Sequence, residues 1–166
     1  MKHIISPLNK ALQRILSTFA ILTVLLTGAC GNATTLEETY DFQALGKEMN
    51  AKKLPLLLAF RADYCTFCRQ LETEYLIPMS KNAGYNERVI IRSFSLGKVE
   101  TITDFDGKRM EADTFTAKHG VTLTPTLLFL DSTGKAIAEP LLGYTSPDFY
   151  GAYLEDAINT AHTTVK

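Results

Sequence analysis

Two patterns of apolar and polar positions alternate along the chain. One is an uninterrupted apolar run, as in "LLLAF" after Pro55. A run of that length fits a strand buried on both faces. The other is an apolar residue at every third or fourth position. From Thr66 onward, Phe67, Leu71, Tyr75 and Met79 recur in this way, with Arg69, Gln70, Glu72 and Glu74 between them. This predicts an amphipathic helix, kinked or ended near Pro78.

The same patterns predict helix over 37–52, with Gly46 as a weak point, and strands over 88–94 ("RVIIRSF") and 125–131 ("PTLLFLD"). Residues 111–120 read as a helix closed by Gly120. A last helix spans 146–162, opened by a cap-like Ser146 and by Pro147 at its first position. Its apolar face is Tyr150, Tyr153, Leu154, Ala157 and Ile158. An Asp-Gly turn signal in "TITDFDGKRM" (101–110) predicts a small hairpin, and 135–143 an edge strand that tolerates Pro140. Strands alternating with helices and ending in a hairpin predict an α/β fold, a central mixed sheet with helices on both faces.

The front of the chain does not fit this scheme. Lys2, Lys10 and Arg14 precede an apolar run from Ile15 to Leu26, followed by the small residues Thr27, Gly28 and Ala29 and then Cys30. These are the parts of a secretory signal over residues 1–29. The run is far shorter than the roughly twenty residues of a bilayer span, which favours export over a retained anchor. Small residues before Cys30 resemble a bacterial lipoprotein processing site, in which the cysteine is lipidated and becomes the new amino terminus. Thr27 stands where an aliphatic residue is usual, so lipidation at Cys30 and simple cleavage nearby both stay open. Residues 30–36 read as a tether and 37–166 as one domain. Of 17 Lys+Arg, 14 lie beyond the leader, against 18 Asp+Glu. A net charge of −4 with no clustered basic face argues against nucleic acid.

The chemistry lies in "RADYCTFCRQLE", residues 61–72. Cys65 falls at the junction of the buried strand and the helix, with Cys68 one turn further in. A spacing of three brings the sulfurs to one side of the first turn, close enough to bond. Unpaired N–H groups and the positive end of the helix dipole face Cys65 and favour its thiolate. Cys65 is therefore the attacking thiol and Cys68 the better protected, resolving one. A zinc site would need further ligands, and His119 and His162 are in no recognisable ligand spacing. A static disulfide is the stronger rival in an exported protein, although so local a loop removes little chain entropy. Phe67, exposed between the cysteines, is the aromatic expected to contact a partner. His119 reads as packing a helix end.

A proline heading a buried strand, Pro125 in "VTLTPTLLFL", needs a special reason. With this segment and the CxxC at a strand–helix junction, the sequence resembles the thioredoxin superfamily over residues 37–162. It looks most like periplasmic members, namely SoxW-type proteins and the carboxy-terminal domain of the membrane reductase DsbD. The resemblance implies a thioredoxin fold in which Pro125 is a cis-proline beside the sulfurs and the Thr124 backbone pairs with the substrate chain. Tyr64 stands in place of the usual tryptophan, and Thr66-Phe67 fill the motif; Tyr64, Thr66 and Phe67 join Thr124 and Pro125 in the implied substrate-binding set. Thioredoxins place a buried acid where this chain has Ala59. Asp63 and Glu72 are the nearby alternatives, Glu72 reading rather as a surface residue. Residues 97–110 look like an insertion.

The resulting expectation is an exported, monomeric thiol–disulfide oxidoreductase with no cofactor and no metal. It would reduce disulfides of periplasmic proteins and be re-reduced by a membrane thiol reductase. A copper-binding or redox-inert binding module on the same fold is the alternative; copper(I) accepts two thiolates, but no Met or His lies beside the pair.

Overall fold

β1 (Leu56–Arg61) can run through the centre of the fold because both its faces are apolar. Leu57 and Ala59 pack to one side, and Leu56, Leu58 and Phe60 to the other. The computed structural model describes residues 35–144 and 147–166. The signal-like stretch 1–29, Cys30, the tether through residue 34 and the cap-like Ser146 lie outside the described residues.

β1 pairs in parallel with β2 (Ile90–Ser95). The hairpin of β3 (Thr101–Thr103) and β4 (Arg109–Glu111) follows as a separate two-stranded sheet. β5 (Thr126–Leu130) runs antiparallel on the other side of β1, and β6 (Leu141–Leu142) antiparallel to β5. The main sheet therefore has the order β2-β1-β5-β6 and is mixed, as expected.

Helices cover both faces. α1 (Phe42–Lys52) lies on the side of Leu56, Leu58 and Phe60. The active-site helix begins as α2 (Thr66–Leu71), widens into a π-helical turn (Glu72–Leu76) and continues as α3 (Ile77–Ser80) on the side of Leu57 and Ala59. A short α4 (Ala83–Asn86) follows. α5 (Ala112–Lys118) adds Phe115 to the α1 side, where its ring stacks on Phe42 with centroids 4.3 Å apart. α6 (Pro147–Thr164) closes the other side with Leu154, Ala157, Ile158 and Ala161.

Two expectations change, and a third takes a definite form. The first helix begins at Phe42 rather than 37, because Asp41 caps it, accepting the Ala44 N–H at 2.9 Å. Residues 37–39 are extended instead and serve the open edge of β2, with Thr39 N–H donating to Ser93 O and Ser93 N–H to Glu37 O. Near Pro78 the second helix is distorted and then ends at Ser80, as read. Proline has no N–H and its ring crowds the carbonyl four residues back, and the widened turn just before it, with Ile77 N–H reaching Glu72 O, accommodates both demands. The edge strand expected over 135–143 is limited to Leu141–Leu142 and an isolated bridge between Leu130 and Ala136, with Pro140 immediately before it. The hairpin forms as read, with Gly107 at φ +83° in its turn.

Candidate active site

Residues 62–65 leave the carboxyl end of β1 and turn into α2, which places Cys65 at the helix cap. The Cys65 N–H donates to Ala62 O at 3.0 Å, and the Cys65 sulfur accepts the Cys68 N–H at 3.0 Å. Cys65 and Cys68 form a disulfide with a Cα–Cα distance of 5.3 Å. The two sulfurs and Ala62 make a small apolar cluster of their own. Cys65 keeps 8% of its surface and Cys68 only 1%, so an incoming group reaches Cys65 first.

The flanking side chains stand out from this cluster. Tyr64 is 88% exposed and Phe67 58%, both large apolar surfaces beside the more accessible sulfur. Thr66 begins the helix, and its hydroxyl accepts from the Arg69 guanidinium, which also donates to Asp63 O. Across the sheet, the antiparallel register pairs Phe60 with Thr126, so Pro125 immediately precedes β5 at the end of the sheet where β1 finishes at Arg61. The Thr124–Pro125 peptide bond is cis, Pro125 is buried and Thr124 is half-exposed. Leu123, 44% exposed, adds an apolar residue just before Thr124 that sequence reading passed over. Both segments named from the sequence thus leave the same end of adjacent strands.

Glu72 is not a surface residue, a correction to its sequence reading. Its side chain is 13% exposed and sits 2.7 Å from the Arg61 Nε. Strand parity supplies the reason. Arg61 follows Leu57 and Ala59 on the face that packs under the active-site helix, and Glu72 comes one turn after Cys68 on that helix. A cation at an inward position of an apolar strand was the signal available in the sequence. Burial pushes the Glu72 carboxyl above the ordinary glutamate range, while Arg61 pulls the other way. Asp63, the other candidate acid, is solvent-facing and 3.3 Å from Arg61.

Arg61 also donates to Ser95 Oγ at 3.1 Å, and Ser95 Oγ donates to Glu38 at 2.9 Å. Glu38 further accepts from Lys98 at 2.7 Å and from Tyr40 at 2.9 Å. Burial pushes the Glu38 carboxyl up, but these three hydrogen bonds outweigh it and hold the group below its ordinary range. A polar cavity of about 380 Å³ is bounded by Leu36, Glu38, Arg61, Glu72, Ser93 and Lys98. No group of three or more His, Cys, Asp or Glu among the described residues could hold a metal ion. His119 caps α5 and packs edge-on against Phe115, with ring centroids 4.6 Å apart.

The family described as a thioredoxin-like domain matches residues 42–158. Among solved structures, the chain is similar to the thioredoxin of Malassezia sympodialis at 14% identity, covering 75% of this chain and 95% of that one, with a TM-score of 0.50. A thioredoxin from Fasciola hepatica (19% identity, 72% and 98% covered, TM-score 0.47) and a poplar thioredoxin h (22%, 69% and 86%, 0.47) also match. No curated protein matches the sequence.

Proposed function

The chain belongs to the thioredoxin-like family and is, at that level, a thiol–disulfide oxidoreductase; we propose that it works as an exported reductant of protein disulfides. In the dithiol form the Cys65 thiolate attacks one sulfur of a substrate disulfide. A Cys65–substrate bond forms, the substrate bond breaks, and the leaving sulfur takes up a proton. Cys68, deprotonated in turn, attacks Cys65 and releases the second substrate thiol. Two electrons and two protons pass to the substrate, and the protein is left with the Cys65–Cys68 disulfide. A membrane thiol reductase returns it to the dithiol.

The observation that carries this reading is the graded exposure of two bonded sulfurs at a helix cap, the outer one flanked in the chain by the exposed Tyr64 and Phe67. Tyr64, Phe67 and Leu123 offer a surface for the substrate chain, with Thr66 beside them. Thr124 and Pro125 would align that chain at the strand end. Glu72, one turn beyond Cys68 and drier than an ordinary glutamate, is the group suited to accept the Cys68 proton. The signal-like front end supports export, and Cys30 supplies a point for a lipid tether.

Trapping in the exported fraction tests the exchange mechanism. With Cys68→Ser, Cys65 can still attack but nothing resolves the bond, so mixed disulfides should accumulate on non-reducing gels. With Cys65→Ser none should form. A structural bridge would instead destabilise both variants alike and trap nothing with either.

A further inference from the structure

At their carboxyl ends, β1 and β2 change character on the face beneath the active-site helix. The inward pairs run Leu57 with Ile91, Ala59 with Ser93, then Arg61 with Ser95. An apolar floor thus ends in a polar one, next to the cavity that Glu38 and Glu72 also bound. Glu38 reaches this place because its segment pairs along the free edge of β2. One guanidinium consequently stands between two carboxylates. It faces Glu72 directly at 2.7 Å and reaches Glu38 through Ser95 Oγ, with a direct approach of 3.9 Å. Lys98 and Tyr40 bear on Glu38 from the outer side. Asp63 meets Arg61 from solvent, and Arg69 lies one turn from Glu72 on its own helix.

We propose that Glu38 and Arg61 are positioning residues that set the charge of Glu72, so that the segment ahead of the domain's first helix tunes the proton step of the cysteine pair. This rests on the reading of Glu72 as the acceptor of the Cys68 proton. The logic is one of shared charge. Two carboxylates and two cations balance, but only while Arg61 is divided between its neighbours. Without the negative charge of Glu38, Arg61 serves Glu72 alone and Glu72 ionises at lower pH. Without Lys98, Glu38 draws more on Arg61, and Glu72 ionises at higher pH. The cavity gives the carboxyl a polar exit for the proton it accepts.

The experiment is the pH dependence of resolution in the full-length protein. A chromophoric thiol is loaded as a mixed disulfide on Cys65, and its release by Cys68 is followed by stopped flow between pH 4 and pH 9. Glu72→Gln should remove the carboxylate inflection from the profile. Glu38→Gln should move it down by about half to one pH unit, a roughly three- to tenfold change in rate on its slope. Lys98→Gln, on an exposed side chain, should move it up, and Arg61→Lys should restore part of what Arg61→Ala loses. In the Glu72→Gln background Glu38→Gln should have no further effect. An unmoved inflection in Glu38→Gln and Lys98→Gln, with Glu72→Gln removing it, overturns the proposal and leaves the Glu72 reading standing. An inflection that survives Glu72→Gln overturns that reading and the proposal with it. If Glu38→Gln does not fold, the direction of the Lys98→Gln shift decides alone.

Discussion

Among single residues, the sequence displayed the reactive pair openly and concealed its electrostatic support. Cys65 and Cys68 were legible because a CxxC spacing on a strand–helix junction has a local meaning that needs no tertiary contact. Glu72 was not, since a glutamate in an amphipathic helix is solvent-facing by default and only its pairing with Arg61 accounts for its burial. His119 was read correctly as packing a helix end, and it carries a consequence for stability. Burial, helped by the neighbouring Lys118 charge, lowers its proton affinity, with Asp104 opposing. In the folded state His119 therefore stays neutral at pH values where the unfolded chain has already protonated it. As pH falls through the ordinary value of 6.5 toward the depressed native one, the unfolded state binds more protons and stability is lost. Below the native value the loss stops growing. Urea midpoints measured across that window should fall less steeply in His119→Gln than in the unaltered chain. Parallel slopes would mean that the imidazole titrates alike in both states.

Elements were legible wherever period alone identifies them. β1, β2 and β5 appear within two residues of their expected ends, because continuous apolar runs require burial on both faces. The failures came where a neighbour decides. Residues 37–39 have a helix-compatible composition, yet the free edge of β2 claims their backbone groups. Gly46 is instructive here, for in the sequence it only weakens a helix. In the fold a Cβ at that position would lie 2.7 Å from the Ser132 carbonyl oxygen, so its absence lets α1 approach the turn after β5. The two effects oppose in Gly46→Ala. Helix propensity favours Ala by about 0.8–1 kcal/mol, while overpacking against well-fixed atoms costs about 1–3 kcal/mol. The obstructing atom is backbone and cannot rotate away, so packing should prevail. Gly46→Ala is expected to lose about 1 kcal/mol net, seen as a lower urea midpoint with an unchanged slope. A more stable variant would show that α1 can shift outward at little cost.

For the molecule as a whole, alternating strands and helices sufficed to give an α/β architecture, while the placement of the site needed the sheet order. The register that pairs Phe60 with Thr126 joins two segments far apart in the chain, and no local pattern encodes it. The same scaffold bears on the direction of electron flow, through a cycle that joins folding to redox state. If the folded protein favours the disulfide more than its unfolded chain does, the oxidised form is the more stable and the folded dithiol is the stronger reductant. For this two-electron couple, 30 mV corresponds to about 1.4 kcal/mol. The surroundings of the pair favour the disulfide. Cys68 is sealed at 1% exposure in a cluster with Ala62 and Cys65, so reduction must place a polar thiol, and in turnover a charged one, where little water can follow. Urea unfolding of the oxidised and reduced proteins should therefore show the oxidised form as the more stable. Equilibration with glutathione should then give a potential nearer that of thioredoxin, about −270 mV, than the roughly −120 mV of a strong oxidant. A reduced form that outlasts the oxidised one in urea would reverse the sign of the cycle and make the protein a donor of disulfides.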